Sequence, residues 1–268
     1  MQSPLYMVKI GGSIITDTKK PSTARSDQIE RLIAEIARAK KKKNFSLILG
    51  HGGGSFGHIA AKQYRINEGL VTEESRRGAI IVHSAMQQLN SIVLKAASEA
   101  GLDPYPFSPS SFAHSNDGKI DGGSVDAIRY ALERGFSPVV HGDLTFDSAK
   151  GVSIASTEEV FRFITTSIKP NKVVLGADMD GVYDSDPNSN PSAKLVSLID
   201  SSNISSMIEG AGGAKKVDVT GGMKTKLSIL YEIIKNTGAT GYIANAGKEG
   251  VIERILLGEG ANCTTVRA

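Results

Sequence analysis

A run of glycines bracketed by histidines is the first feature of this 268-residue sequence whose spacing suggests chemistry. Gly50-His51-Gly52-Gly53-Gly54-Ser55-Phe56-Gly57-His58 follows an apolar stretch of strand type. Successive glycines after a strand leave their amides able to cradle an anion. His58, in the same short loop, adds a ring N–H and a positive charge if protonated. A second glycine pair, Gly11–Gly12, follows Lys9 at the end of another strand-like stretch. A lysine on a buried strand is costly unless its ammonium meets an anion or a carboxylate. Near the C-terminus, Asp218-Val219-Thr220-Gly221-Gly222-Met223-Lys224-Thr225-Lys226 enters a helix. Lys224 and Lys226 lie two apart, so at most one of them faces a site. Amides and cations of this kind bind phosphate. His83, His114 and His141 read instead as structural histidines.

Two other phosphate-binding motifs compete with this reading. Gly52, Gly54 and Gly57 formally satisfy G-x-G-x-x-G, which would suit an oxidoreductase with a dinucleotide cofactor. That motif requires an acidic residue at the end of the next strand, ~20 residues on. Glu73 and Glu74 have the spacing but open a helix-like stretch. A nucleoside-triphosphate P-loop needs a hydroxyl after its Gly-Lys pair, whereas Gly118-Lys119 is followed by Ile120 and Gly247-Lys248 by Glu249.

The elements that must position these residues alternate along the chain. Strands are expected at Leu5–Ile10, Ser46–Gly50, Pro138–His141, Lys172–Ala177, Thr240–Asn245 and Cys263–Val266. Ile29, Leu32, Ile33, Ile36 and Ala37 mark a helix with Ser26 as N-cap, ending in the basic run Lys40 to Lys43. A long helix is expected from Thr72 to Ala100, closed by Gly101, and another through Met223, Leu227, Leu230, Ile233 and Ile234, stopped by Gly238. Alternation of this kind predicts an α/β fold with an open, mainly parallel central sheet sandwiched between helices. Glycines gather where strands end, which is where such sheets bind ligands. A lobe boundary is expected near residues 165–171, where Lys169-Pro170-Asn171 interrupts the pattern.

Composition narrows the partners. Hydrophobic residues make up 40% and charged residues 22%, an ordinary globular balance. A net charge of +3, no Trp and 6% aromatics argue against nucleic acid. No apolar run approaches the ~20 residues of a membrane span, and the first residues lack a signal-peptide pattern. The single cysteine, Cys263, reads as a packing residue and points to a reducing cytoplasm.

Together the segments resemble the amino acid kinase family. The matching stretches are K-I-G-G-S-I-I-T-D at 9–17, G-H-G-G-G-S-F-G-H at 50–58, P-V-V-H-G-D at 138–143, A-D-M-D-G-V-Y at 177–183 and D-V-T-G-G-M-K-T-K at 218–226. The second, ending in His58, is similar to the branch of isopentenyl phosphate and fosfomycin kinases, most of all the archaeal-type isopentenyl phosphate kinases. The resemblance implies ATP-dependent phosphorylation of isopentenyl phosphate to isopentenyl diphosphate, with Mg²⁺, in a homodimer. It implies an acceptor-binding lobe at 1–168 and an ATP-binding lobe at 169–268 on one continuous sheet.

The same resemblance assigns roles. Gly53, Gly54, Gly57, His58 and Thr157 would hold the acceptor. Lys9, Gly11, Gly12, Ser13, Gly54, Asp178, Asp180, Gly222 and Lys226 would hold ATP. Lys9, His58, Lys226 and Lys19 would act on the transferring group. Lys19 enters because Thr18 stands where the family pattern has a second lysine. A second departure is Ser156-Thr157-Glu158-Glu159 in place of Ser-Gly-Asp-Asp, and a milder one is Ala177 for threonine. Ile80, Ile81, Val82, Met86 and Leu89 would together wall an apolar tail. The alternatives are a kinase for another small phosphate or a phosphonate such as fosfomycin, and a non-catalytic nucleotide- or metabolite-binding relative.

Overall fold

The computed structural model describes residues 3–187, 189–210 and 222–268. In chain order the elements begin β1 (Leu5–Ile10), α1 (Gly12–Ile15), α2 (Ser26–Lys42), β2 (Ser46–His51), α3 (Gly54–Gln63) and α4 (Glu73–Glu99). They continue β3 (Pro104–Phe107), α5 (Pro109–Phe112), β4 (Ala113–Asn116), β5 (Lys119–Gly123), α6 (Asp126–Glu133), β6 (Ser137–His141), β7 (Asp143–Asp147), β8 (Gly151–Ala155) and α7 (Thr157–Ile164). The last are β9 (Lys172–Ala177), β10 (Leu198–Ile199), α8 (Ile204–Gly210), α9 (Gly222–Thr237), β11 (Thr240–Asn245), α10 (Val251–Leu257) and β12 (Cys263–Val266).

An eight-stranded sheet runs β10-β12-β11-β9-β1-β2-β6-β3. Among the described residues its pairings are parallel except β11 with β12. All six residues of β1 are buried, because helices cover both faces. Tyr6, Val8 and Ile10 pack with Ile33 of α2, Leu89 of α4 and Ile252 of α10. Leu5 and Met7 pack on the other face with Phe161 of α7 and Leu230 of α9. Lys9 follows Leu5 and Met7 at the strand period of two, so it emerges on the α7 face.

A second sheet, β5-β4-β7-β8, was not expected from the sequence. Its strands are four or five residues long, and β4 and β5 (Ala-His-Ser-Asn and Lys-Ile-Asp-Gly-Gly) carry little apolar signal. They pair only with one another. Asp147 joins their turns by accepting the Gly118 and Lys150 amides at 2.8 and 2.9 Å. Edge strand β3 was hidden by Pro104 and Pro106, residues that a sheet tolerates at its edge.

Ser26 is the first helical residue of α2 and not its cap; Arg25 holds the cap position, without a side-chain bond. Thr72 caps α4, exchanging hydrogen bonds with Ser75. At the other end, Gly101 at φ +74° and Leu102 donate to the Ser98 and Ala97 carbonyls, both at 3.0 Å. Nothing lies within 4 Å of a Cβ built on Gly101, so alanine there would meet only backbone strain. Gly101→Ala is expected to lower unfolding free energy by about 1 kcal/mol, read by urea denaturation.

Candidate active site

Both glycine loops leave the same edge of the sheet side by side. Lys9 pairs with Gly50 and Ile10 with His51 along β1 and β2, and the Gly52 amide donates to the Ile10 carbonyl at 3.1 Å. Beyond the strands the loops touch backbone to backbone. A Cβ on Gly12 would lie 2.3 Å from the Gly54 nitrogen, and one on Gly52 2.8 Å from the Gly12 nitrogen. Gly11 is equally tight against β9, where a Cβ would come within 2.6 Å of the Gly176 carbonyl oxygen. Glycine is therefore required at these positions for the loops to pack, before any ligand is considered. The amides of Gly12, Ser13, Gly53 and Gly54 have no acceptor among the described residues. These are first-turn amides of α1 and α3, the groups a helix leaves for an anion. His58 stands half-buried one turn into α3.

The ammonium of Lys9, 7% exposed, meets Glu158 Oε1 at 2.5 Å. Burial alone would raise the Glu158 carboxyl, but the Lys9 and Lys226 charges reverse this and hold it below its ordinary 4.5. Glu158 thus lies within the fields of both lysines. The departures around it have local explanations. Ser156 caps α7, accepting the Glu159 amide at 3.1 Å. The Thr157 hydroxyl donates to the His51 carbonyl at 2.7 Å, and its methyl fills the space above Gly50. Its side chain is therefore packed between α7 and β2. Glu159 accepts the Ile120 amide at 2.8 Å and pairs with Arg162, clamping β5 onto α7.

The remaining expected residues are more dispersed. Lys19 lies on an exposed turn, its amide on Asp17 Oδ1 at 2.9 Å. Asp178 is exposed after β9. Asp180 is engaged by Lys248 Nζ at 2.7 Å, Asn245 Nδ2 at 3.1 Å and Asn262 Nδ2 at 3.0 Å. The Lys248 bond and the two amides hold its carboxyl below the usual range, and the three contacts tie the loops flanking β9, β11 and β12 together. Gly222, at φ +64°, opens α9, and Lys226 sits one turn further on, partly buried. Asp218, Thr220 and Gly221 lie outside the described residues.

The expected wall on α4 is not a single surface, because consecutive helical residues point about 100° apart. Ile80 is 65% exposed, Leu89 belongs to the main core, and Val82 joins Ala61, Ile66, Leu144 and Val152 in a small cluster beside α3. Met86 supports the glycine loop after β2: its sulfur would lie 2.9 Å from a Cβ on Gly53 and 3.3 Å from one on Gly57. The same face of α4 carries a polar stripe with no periodic signal in the sequence. His83 Nδ1 lies 2.8 Å from Asp143, Gln87 donates to Ser108 at 2.5 Å, and Asn90 meets His51 Nε2 at 3.1 Å. His51 and His141, register partners on β2 and β6, stack at 5.2 Å. Burial lowers them to about 4 and about 3, so both are neutral at pH 7.

The dinucleotide reading fails on topology: α3 is followed by a short 3-10 turn and α4, with no strand ahead of Glu73 and Glu74. The amino acid kinase family model matches residues 5–245. The chain belongs to the amino acid kinase family. It is 35% identical to the isopentenyl phosphate kinase of Methanothermobacter thermautotrophicus over 98% of each chain. It is 32% identical to that of Methanocaldococcus jannaschii over 95% of this chain and 96% of the other. A solved structure of an isopentenyl phosphate kinase superposes with a TM-score of 0.82 at 31% identity, covering 98% of this chain and 99% of that one.

In this amino acid kinase, Glu158 gives a stability signature with a defined sign. A carboxyl whose folded-state pKa is depressed stabilises above its unfolded pKa, and the contribution is lost as pH falls through the folded value. Glu158→Gln removes a buried carboxylate from beside the Lys9 ammonium and is expected to lose roughly 3–5 kcal/mol at neutral pH. In urea denaturation as a function of pH, the gap to wild type closes only below the ordinary carboxyl value of 4.5. A gap unchanged down to pH 3 would show that the carboxylate charge is not what matters.

Proposed function

We propose that the protein is a small-molecule kinase that transfers the γ-phosphoryl group of ATP to isopentenyl phosphate, giving isopentenyl diphosphate and ADP. The observation that carries this reading is the Lys9–Glu158 pair lying beneath two abutting glycine loops, one of which ends at His58. Full-length relatives named isopentenyl phosphate kinase support the acceptor. The lobes at 1–168 and 169–268 are read as acceptor and ATP sides of one cleft.

Two phosphorylated molecules repel each other, and that repulsion is the main barrier here. An alkyl phosphate has a second pKa of ~6, so its oxygen is already an anionic nucleophile at neutral pH and needs no general base. That oxygen attacks the γ-phosphorus as the bond to the β,γ-bridging oxygen breaks, and ADP leaves with the electron pair. Catalysis then rests on positioning and charge stabilisation. The Gly53 and Gly54 amides and His58 hold the acceptor phosphate; Lys9, Lys226 and the Gly12 and Ser13 amides take the transferring group. The apolar tail lies along the cluster around Val82 and Leu144. Mg²⁺ belongs to this reading as a companion of the nucleotide. Phosphate oxygens are the hard ligands this ion prefers. A cytoplasmic homodimer completes the reading; no described helix is long and apolar enough to cross a membrane.

The direct test mixes the protein with ATP, Mg²⁺ and either isopentenyl phosphate or fosfomycin and follows ³¹P NMR. A new diphosphate doublet from isopentenyl phosphate is expected, and phosphorylation of the phosphonate alone would overturn the acceptor assignment. In the same assay His58→Ala is expected to lower kcat by ~10²-fold, the cost of one transition-state donor. Wild-type kinetics in that variant would remove His58 from the site.

A further inference from the structure

Thr16 has no role in the chemistry described so far, yet its hydroxyl is the polar atom that joins the two phosphate-binding loops. Oγ1 donates to the Gly12 carbonyl at 2.8 Å and accepts the Ser55 amide at 3.0 Å. The first partner belongs to the loop after β1 and the second to the loop after β2. Thr16 is fully buried, its own amide also donates to the Gly12 carbonyl at 3.0 Å, and a bridge to Ala24 fixes its backbone. Gly54 is moulded around it: at φ +48°, a Cβ there would lie 2.1 Å from Oγ1. The Ser55 hydroxyl is buried with no partner among the described residues, so on that side the link is the amide alone.

Beyond the Gly52 amide on the Ile10 carbonyl at the strand ends, the remaining contact between the loops at Gly12, Gly52 and Gly54 is glycine against glycine. Such a contact limits how closely the loops approach but does not hold them against sliding or parting. A buried hydroxyl bonded to both sides does hold them, because breaking either bond strands a buried polar group. The amides that flank it, Gly12 and Ser13 on one side and Gly53 and Gly54 on the other, are those assigned to the transferring and acceptor phosphates.

We infer that Thr16 is a positioning residue: its hydroxyl sets the separation between the donor-phosphate loop and the acceptor-phosphate loop, and so the in-line distance for transfer. The inference rests on the kinase reading above. Reacting groups displaced by ~1 Å can lose ~10²-fold in rate. Each substrate keeps its own loop, so the loss falls on kcat and not on either KM.

The test compares Thr16→Val, which keeps the shape and removes the hydroxyl, with Thr16→Ser, which keeps the hydroxyl. Thr16→Val is expected to lower kcat by ~10²-fold with both KM values little changed. It should also hydrolyse more ATP per acceptor phosphorylated, since water can enter a widened gap. Thr16→Ser should recover most of the loss. Undiminished kcat in Thr16→Val, or an equal loss in Thr16→Ser, would overturn the inference. If the valine variant does not fold, the serine variant and amide exchange in the wild type decide it: the Ser55 amide is expected to be protected, and free exchange there would contradict the link. Wild type inactive on every phosphate acceptor would instead overturn the kinase reading.

Discussion

A lysine ammonium at the end of a strand buried on both faces must meet a negative charge, and the site is organised around how this one does. Lys9 meets Glu158, and Glu158 also lies in the field of Lys226. That carboxylate thus feels two ammonium charges in a place water hardly reaches. Removing either charge from such a pair is expensive, which keeps the Lys9 ammonium and the Glu158 carboxylate in place when no ligand is bound. In the proposed reading, a polyanion entering the cleft meets charge already arranged, and little reorganisation is needed as transfer proceeds.

The parallel sheet makes this arrangement possible. Because β6, β2, β1, β9 and β11 all run the same way, their following loops open on one edge. The glycines there serve packing first: Gly11, Gly12, Gly52 and Gly54 let three loops approach to distances no side chain would permit. Beneath them the buried histidines hold the strand ends. The Gly142 amide and the Thr157 hydroxyl both donate to the His51 carbonyl, at 3.2 and 2.7 Å, joining β2, β6 and α7. The α7 helix that carries Glu158 is thereby fixed relative to the glycine loop after β2.

Much of this was legible in the sequence, and what was not has physical reasons. Six central and flanking strands could be placed because buried parallel strands read as apolar runs ended by glycine. The small sheet could not, since its strands are short and pair only among themselves. Lys9 announced itself as a charge on a buried strand, whereas its partner looked like a disturbance: Glu158 stands one methylene longer than the expected aspartate, and only the fold brings it to Lys9. Thr157, expected to hold the acceptor, has its hydroxyl on the His51 carbonyl and its methyl packed over Gly50 of β2. Thr16 stands within the matching stretch at 9–17 but drew no role of its own, because a threonine after two isoleucines is ordinary strand-like sequence. Asp180 carries the family motif, yet in this fold its carboxylate is occupied by Lys248 and two asparagines.

The central claim is that one pre-arranged positive cleft binds both phosphates at once, end to end. Calorimetric titration with a bisubstrate analogue, an adenosine polyphosphate extended by an alkyl phosphate, measures this directly. Binding far tighter than ATP, with the advantage abolished in Lys9→Met, is the expected result. An analogue that binds no better than ATP would mean that the two phosphate sites do not face each other across one cleft.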